Sequence, residues 1–324
     1  MYAESPYSES IVTQTQQQFE REILEGLKQH PKRIHSKYFY DARGAELFEE
    51  ICTLPEYYPT RTEIGILQTY LTEIAATIGP HARIIEFGSG EGIKTKLLLD
   101  HLDRPSVYIP VDISHLQLEA TASILRQAHP GLEVLPLAQD YTVPIRLPKA
   151  CSAFNRTVVF FPGSTIGNFE VQEAEQFLKM TTTLIGETGK LLVGIDLVKD
   201  RPTIERAYND SEGVTAQFNL HLIERVRDEL GANIDPRDFE HFAFFNEAES
   251  RIEMHLIVKR AFETMIAGER IVFSEGEHII TEYSHKFTLG AFEALAAKVG
   301  LKLEQVWQDE KKYFAEVLLG SVGD

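Results

Sequence analysis

Cysteine is almost missing from this chain: Cys52 and Cys151 are the only two in 324 residues, and they lie far apart. Without CxxC spacing, neither a zinc cage nor a disulfide framework is implied. The eleven histidines contain no HxxxH or HExxH pattern, so metal catalysis finds no support and no metal is expected. Positive charge is also short, with 32 Lys and Arg against 49 Asp and Glu, a formal net charge of −17. A surface of that sign repels phosphate backbones, and the densest basic cluster is only the pair Lys311 and Lys312. No apolar run reaches the roughly 18 residues that a membrane span requires. The opening MYAESPYSESIVTQ lacks the basic start and apolar stretch of a secretion signal. Repeats and low-complexity tracts are absent as well. What is left, 43% hydrophobic and 25% charged, is ordinary globular composition, at a length that suits about two domains. A monomeric cytoplasmic protein with no nucleic-acid or membrane partner is the expectation.

Hydrophobic periodicity organises the chain. The first dozen residues are polar and are expected to form a loose tail. Phe19, Ile23 and Leu27 recur at four-residue spacing and predict a helix over 14–29, closed by Pro31. An aromatic stretch follows, with Tyr38, Phe39, Tyr40, Phe48, Tyr57 and Tyr58 set between turn-forming residues. A second helix is predicted over 62–78. Strands and helices then alternate: ARIIEFGSG, SVYIPVDIS, LEVLPLAQD, RTVVFFPGS and KLLVGIDLV read as five strands, with helices over 115–127 and 173–184. That rhythm predicts an α/β fold with a parallel, doubly wound sheet. After Asp200 it breaks. A helical stretch to about residue 231 leads to RIEMHLIVK and IVFSEGEHIITEYSHKF, which alternate in the antiparallel manner of a second, mixed α+β domain. A helix over 289–299 and the strands LKLEQVWQ and YFAEVLLG resume the first pattern. The second domain is therefore inserted into the first.

Chemistry concentrates at strand ends. Gly88-Ser89-Gly90-Glu91-Gly92 closes the first strand of the sheet with a turn almost free of side chains. There a ligand can lie against backbone and a helix N-terminus. Its GxGxG spacing is not the GxGxxG of dinucleotide sites. Asp112 ends the second strand, where a carboxylate can accept from ribose hydroxyls; Asp140 and Tyr141 end the third, at an adenine's edge. Together they describe a nucleoside pocket, and a sulfonium or short amino-acid tail suits the turn better than a pyrophosphate. FPGSTIGNF follows the fourth strand, where Asn168 offers donor and acceptor and Gly163 permits close backbone approach. The plain alternative there is a turn with a helix cap. Neither Ser89 nor Ser164 has glycines two residues away on both sides, as a nucleophile elbow requires. Glu282 and Ser284 sit two apart on a strand and share a face, able to grip an imidazole or ammonium group or simply to meet solvent. Met254 reads as core, and the aromatics as core, interface or the wall of a pocket.

The strings KYFYDARGAELFEEI, LPEYYPTRTE, EFGSGEGIKT, GSTIGNF, DLVKD, IEMHL and TEYSHKF, in that order, resemble the L-histidine Nα-methyltransferases of ergothioneine biosynthesis. The likeness runs from about Lys37 to the C-terminus. It implies a class I methyltransferase Rossmann-like domain, over 61–197 and 285–324, that binds S-adenosylmethionine. A second domain, over 10–60 and 198–284, would bind histidine. By the same resemblance Gly88, Lys94, Asp112, Asp140 and Tyr141 contact the cofactor, Lys94 meeting its carboxylate and Asp112 its ribose. Asn168 and Tyr208 would hold the histidine carboxylate, and Tyr40 would lie near the amino group. Tyr57 and Gly163 would line the pocket, Met254 would help size the ring, and Glu282 with Ser284 would read the imidazole nitrogens. The implied reaction is three successive methyl transfers giving the betaine hercynine, with Tyr40 or Asn168 positioning the amine. Three other readings stay open on sequence alone: methylation of another aromatic amino acid such as a tryptophan derivative, a nicotinamide-dependent oxidoreductase on the same fold, and a non-catalytic binding protein.

Overall fold

The computed structural model describes residues 6–90, 92–113 and 115–322, in two compact units. The first unit comprises residues 1–57 and 200–283, the second 58–199 and 284–324. In chain order the first unit opens with helix α1 (Pro6–Leu27), strand β1 (Lys32–Arg33) and helix α2 (Ala42–Thr53). The second holds α3 (Tyr58–Ile78), β2 (Ala82–Phe87), α4 (Ile93–His101), β3 (Val107–Asp112), α5 (His115–Ala128), β4 (Glu133–Val134), β5 (Leu137–Ala138), β6 (Arg156–Phe161), α6 (Val171–Ile185) and β7 (Lys190–Asp196). The chain then returns to the first unit for α7 (Arg201–Arg206), α8 (Val214–Leu230), β8 (Phe239–Asn246), β9 (Arg251–Val258), β10 (Phe262–Ile266), β11 (Glu269–Phe273) and β12 (His278–His285). It finishes in the second unit with α9 (Leu289–Ala297), β13 (Leu301–Gln308) and β14 (Phe314–Ser321).

The second unit is built on an eight-stranded sheet in the order β13-β14-β7-β6-β2-β3-β4, with β5 also paired to β3. Strands β7, β6, β2, β3, β4 and β5 are parallel, while β14 and β13 complete one edge antiparallel. Strand alternation divides the core in two. Ile85, Phe87, Ile109, Val159 and Phe161 pack with α6 and α9 through Phe177, Leu178 and Phe292. Ile84, Tyr108, Val158, Phe160 and Leu192 pack with α3, α4 and α5 through Leu67, Leu98 and Leu125. Helices on both faces explain why these strands are apolar throughout rather than alternating. This is the doubly wound sheet the sequence predicts. The expected third strand, LEVLPLAQD, is two short pieces instead, because Pro136 has no N–H to give the ladder.

The first unit carries a four-stranded sheet, β1-β12-β9-β8, with β10 and β11 as a separate hairpin. Its buried side combines Ile252, Met254, Leu256 and Val258 of β9 with Phe218, Leu222 and Val226 of α8. Strand β8 and the hairpin strand β10 escaped the periodicity reading, since FEHFAFFN and FETMI mix charge and aromatics without clean alternation. Two N-terminal expectations also change. Helix α1 already begins at Pro6, inside the stretch expected to be loose. The aromatic segment contains helix α2 rather than only turns: the Asp41 carboxylate accepts from the Gly44 N–H at 2.8 Å as its N-cap, and Leu47 and Ile51 bury at helical spacing.

Candidate active site

In the second unit the glycine turn lies at the carboxyl edge of the parallel sheet, between β2 and α4. Gly88, Gly90 and Gly92 have φ of 70°, 45° and 72°, the left-handed region that side chains resist. The Gly88 N–H donates to the Val111 carbonyl at 2.9 Å, tying the turn to the neighbouring strand. Glu91 lies outside the described residues. A Cβ on Gly88 would meet the Tyr141 side chain no closer than 3.8 Å, so backbone conformation rather than lack of room requires glycine there. Asp112 ends β3. Just past β5, the Asp140 carboxylate accepts from the Thr142 N–H at 2.8 Å and from its hydroxyl at 2.6 Å, which holds the loop that carries Tyr141. The Tyr141 ring packs against Phe87 and Phe161, with centroids 5.4 and 5.8 Å away. Burial, together with Asp112 and Asp140, pushes its phenol well above the ordinary range. A bare turn next to two carboxylates fits a nucleoside with a short, charged amino-acid tail.

Behind that turn lies a residue that sequence reasoning missed. Glu63, fully buried at the end of LPEYYPTRTE, pairs through one oxygen with the Lys94 ammonium. Its other oxygen accepts from the Gly163 N–H at 2.6 Å. One carboxylate thus ties a candidate cofactor residue to a candidate substrate residue. Gly194 leaves the space for it, since a Cβ there would collide with Glu63 Oε1. Against Glu63 stands Glu316, also fully buried, with no hydrogen-bond donor on either oxygen. Burial and the neighbouring Glu63 push its carboxyl well above the usual range; protonated, it can donate to Glu63. The available signal was a lone carboxylate within the apolar run FAEVLLG.

Gly163, at φ 82°, and Ser164, at φ 56°, lead into a 3-10 turn over Thr165–Asn168 that ends on Asn168. The turn is pinned from behind: the His285 ring lies 2.9 Å from the Gly167 carbonyl through Nδ1. A Cβ on Gly167 would come within 2.8 Å of the His285 carbonyl, so this glycine serves close approach. Ser284 is buried, and its hydroxyl accepts from the Lys286 ammonium at 2.8 Å.

In the first unit the candidate tyrosines form a connected wall. Tyr40 meets Phe48 edge-on at 5.5 Å, Phe48 meets Tyr57 at 6.0 Å, and Tyr57 meets Tyr208 at 6.4 Å. Burial, with Tyr208, Cys52, Tyr40 and Glu282 nearby, holds the Tyr57 phenol well above its usual range. It therefore stays a neutral donor. Tyr208 is held by its backbone, whose carbonyl lies 2.9 Å from His241 Nε2, while His241 Nδ1 lies 2.9 Å from the Asn219 side-chain nitrogen. Met254 is fully buried in β9 and Glu282 nearly so in β12. Arg251 lies over the Tyr283 ring at 3.5 Å, and His255 Nδ1 lies 2.8 Å from His278 Nδ1, so β9 and β12 are joined by side chains at both ends.

Among the described residues no group of three His, Cys, Asp or Glu could hold a metal ion, and no helix is long and apolar enough to cross a membrane. A family model described as histidine-specific, SAM-dependent methyltransferase matches residues 19–321. Histidine N-alpha-methyltransferase of Mycolicibacterium smegmatis is 37% identical over 295 residues, covering 89% of this chain and 90% of that protein. The protein of that name from Mycobacterium tuberculosis is 37% identical, covering 90% of this chain and 91% of its own. Ergothioneine biosynthesis protein 1 of Neurospora crassa is 30% identical over 91% of this chain, which spans 34% of that longer protein.

Proposed function

The chain belongs to the family of histidine-specific, S-adenosylmethionine-dependent methyltransferases, and on that premise we propose that it methylates the α-amino group of L-histidine three times, giving hercynine for ergothioneine biosynthesis. The observation that carries this reading is the Gly88–Gly92 turn beside Asp112 and Asp140, in a chain that matches the family along almost its whole length. S-adenosylmethionine, as co-substrate, supplies an electrophilic methyl group to the amine lone pair. The chain's own residues do the rest, which is to bind, orient and exclude water.

In this reading residues 61–197 and 285–324 bind the cofactor, with Gly88, Lys94, Asp112, Asp140 and Tyr141 in contact with it. Lys94 takes its carboxylate and Asp112 its ribose. Residues 10–60 and 198–284 bind histidine. Asn168 and Tyr208 hold the histidine carboxylate, Tyr57, Gly163 and Met254 shape the pocket, and Glu282 with Ser284 reads the ring. Tyr40 and Asn168 position the amine and relay its proton, since a methylated nitrogen must shed one before it can attack again. The aromatic rings of Tyr40, Tyr57 and Tyr208 suit a site where positive charge persists at nitrogen, because an aromatic wall stabilises a cation without an ion pair that would trap it. The acidic net charge of −17 supports a cytoplasmic monomer without nucleic-acid or membrane partners.

Mass spectrometry of the purified protein with S-adenosylmethionine and each of the twenty amino acids tests the function. A product from histidine alone, heavier by three methyl groups, is expected; the same gain on tryptophan and none on histidine would overturn it. Replacing Glu282 tests the ring assignment. Glu282→Ala is expected to lower kcat/KM for histidine by at least about tenfold and to narrow discrimination against other aromatic amino acids. Unchanged histidine kinetics would refute that role.

A further inference from the structure

Glu63 is where several elements of the second unit meet. Its side chain, on α3, has no exposed surface, while its ion-pair partner Lys94, the second residue of α4, keeps 19%. The carboxylate is therefore the inner member of the pair and the ammonium the accessible one. The other Glu63 oxygen accepts from the Gly163 N–H at 2.6 Å, and a Cβ on Gly163 would stand 3.5 Å from Lys94 Nζ. Carboxylate, ammonium and turn thus touch one another. Room for the carboxylate comes from Gly194 of β7, where a Cβ would collide with Glu63 Oε1. The register of the sheet sets Glu316 of β14 directly opposite Gly194, so the second acid lies beside the space that holds the first.

Glu316 is as deeply buried as Glu63, and no donor reaches either of its oxygens. Two bare carboxylates side by side repel, whereas one hydrogen between them makes a bond. Both Glu63 oxygens already receive donors, the Lys94 ammonium and the Gly163 N–H, so Glu63 is the acceptor and Glu316 carries the hydrogen. The upward push that burial and Glu63 exert on the Glu316 carboxyl agrees with this. We propose that Glu63, held by a hydrogen bond from Glu316, is a positioning residue for the cofactor's amino-acid tail, fixing the Lys94 ammonium and seating the Gly163 turn against it. Neither acid touches the cofactor; both act through Lys94. The inference rests on the assignment of the cofactor carboxylate to Lys94 made above. It adds the groups that hold that ammonium in place.

Lys94 has other neighbours as well. Its charge also reaches Glu86, whose Oε2 accepts from the Thr95 and Tyr108 hydroxyls at 2.6 Å each. Glu63 differs in that its second oxygen is bonded to Gly163, so a change there moves ammonium and turn together. An ammonium on a flexible four-carbon stem loses rotamer freedom when it meets a carboxylate. A partner that already holds it removes that cost from cofactor binding. With three hydrogens, the ammonium can keep Glu63 and still donate to the cofactor. A residue that never meets the cofactor thereby sets part of its affinity.

The test is calorimetric binding of two ligands to the full-length protein and its variants. S-adenosylhomocysteine has the amino-acid tail; methylthioadenosine shares its nucleoside and sulfur but lacks the tail. Glu63→Gln is expected to weaken S-adenosylhomocysteine about tenfold or more, the loss of one charge-assisted contact, and to leave methylthioadenosine within about twofold. Added to Lys94→Met, Glu63→Gln should cost less than about a further twofold, because its effect passes through the ammonium. Glu316→Met removes the donor to Glu63 and should weaken S-adenosylhomocysteine about threefold or more, while Glu316→Gln keeps a donor and should restore most of that loss. This pair covers the case in which Glu63→Gln does not fold. Unchanged S-adenosylhomocysteine binding in Glu63→Gln, an equal loss for both ligands, or equal affinities in Glu316→Met and Glu316→Gln overturns the inference. Unchanged binding in Lys94→Met overturns the assignment of Lys94 to the cofactor carboxylate instead. A native protein that binds S-adenosylhomocysteine but transfers no methyl group to histidine overturns the histidine reading alone.

Discussion

Asp196 and Glu86 are carboxylates at the same depth, each 1% exposed and each at the carboxyl end of a parallel strand, and they shift in opposite directions. Burial pushes both up. At Asp196 the ammonium groups of Lys286 and Lys199, both paired with it, reverse it and the carboxyl falls below its usual range. At Glu86 the partners are hydroxyls, Thr95 Oγ1 and Tyr108 Oη, both at 2.6 Å, and the carboxyl rises to about 7. Glu316, with another carboxylate as its neighbour, is also pushed well above the usual range. Depth sets the cost of charge, and the neighbour decides whether the charge survives.

The largest effect expected from breaking this contrast comes from Asp196→Asn. It removes the carboxylate that pairs with both the Lys286 and the Lys199 ammonium, and urea unfolding at pH 7 should show a loss of about 3–5 kcal/mol. A loss below about 1 kcal/mol would mean that water reaches the cluster. Glu86→Gln should act in a pH-dependent way. A folded-state value above the unfolded one contributes stability below about 4.5, and that contribution is lost as pH rises through about 7. The variant and the native protein should therefore melt alike near pH 5, while near pH 8 the variant should be the more stable by roughly 1–3 kcal/mol. Parallel melting curves across that window would show that Glu86 does not titrate there. The smallest change is expected at Glu316→Gln. An amide replaces a carboxyl that is already neutral, so stability at pH 7 should move by no more than about 1 kcal/mol. A much larger change in either direction would mean that Glu316 is ionised.

The two units also differed in how far they could be read. Strands such as RTVVFF and KLLVGID are apolar without interruption, and a run of that kind between helices has few alternatives to a covered parallel strand. The glycine turn and Asp112 were visible for the same reason, as breaks in an otherwise apolar pattern. Strand β8, FEHFAFFN, gave no such contrast, because exposed Phe242 and half-buried Phe244 share its outer side with Glu240. Glu63 was part of a quoted motif, yet nothing local distinguishes it from a helix-surface acid; only its bonds to Lys94 and Gly163 do so. Lys286 was equally silent in TEYSHKF.

The sequence by itself determined the parallel sheet, the side-chain-free turn at its edge and the family, because periodicity and short motifs are local properties of a chain. Tertiary structure alone decided the charge states: which buried carboxylate keeps its charge and which keeps a proton. Those depend on groups far apart in the chain, Asp196 with Lys286 and Glu63 with Glu316, and electrostatic energy follows distance in space rather than separation in sequence.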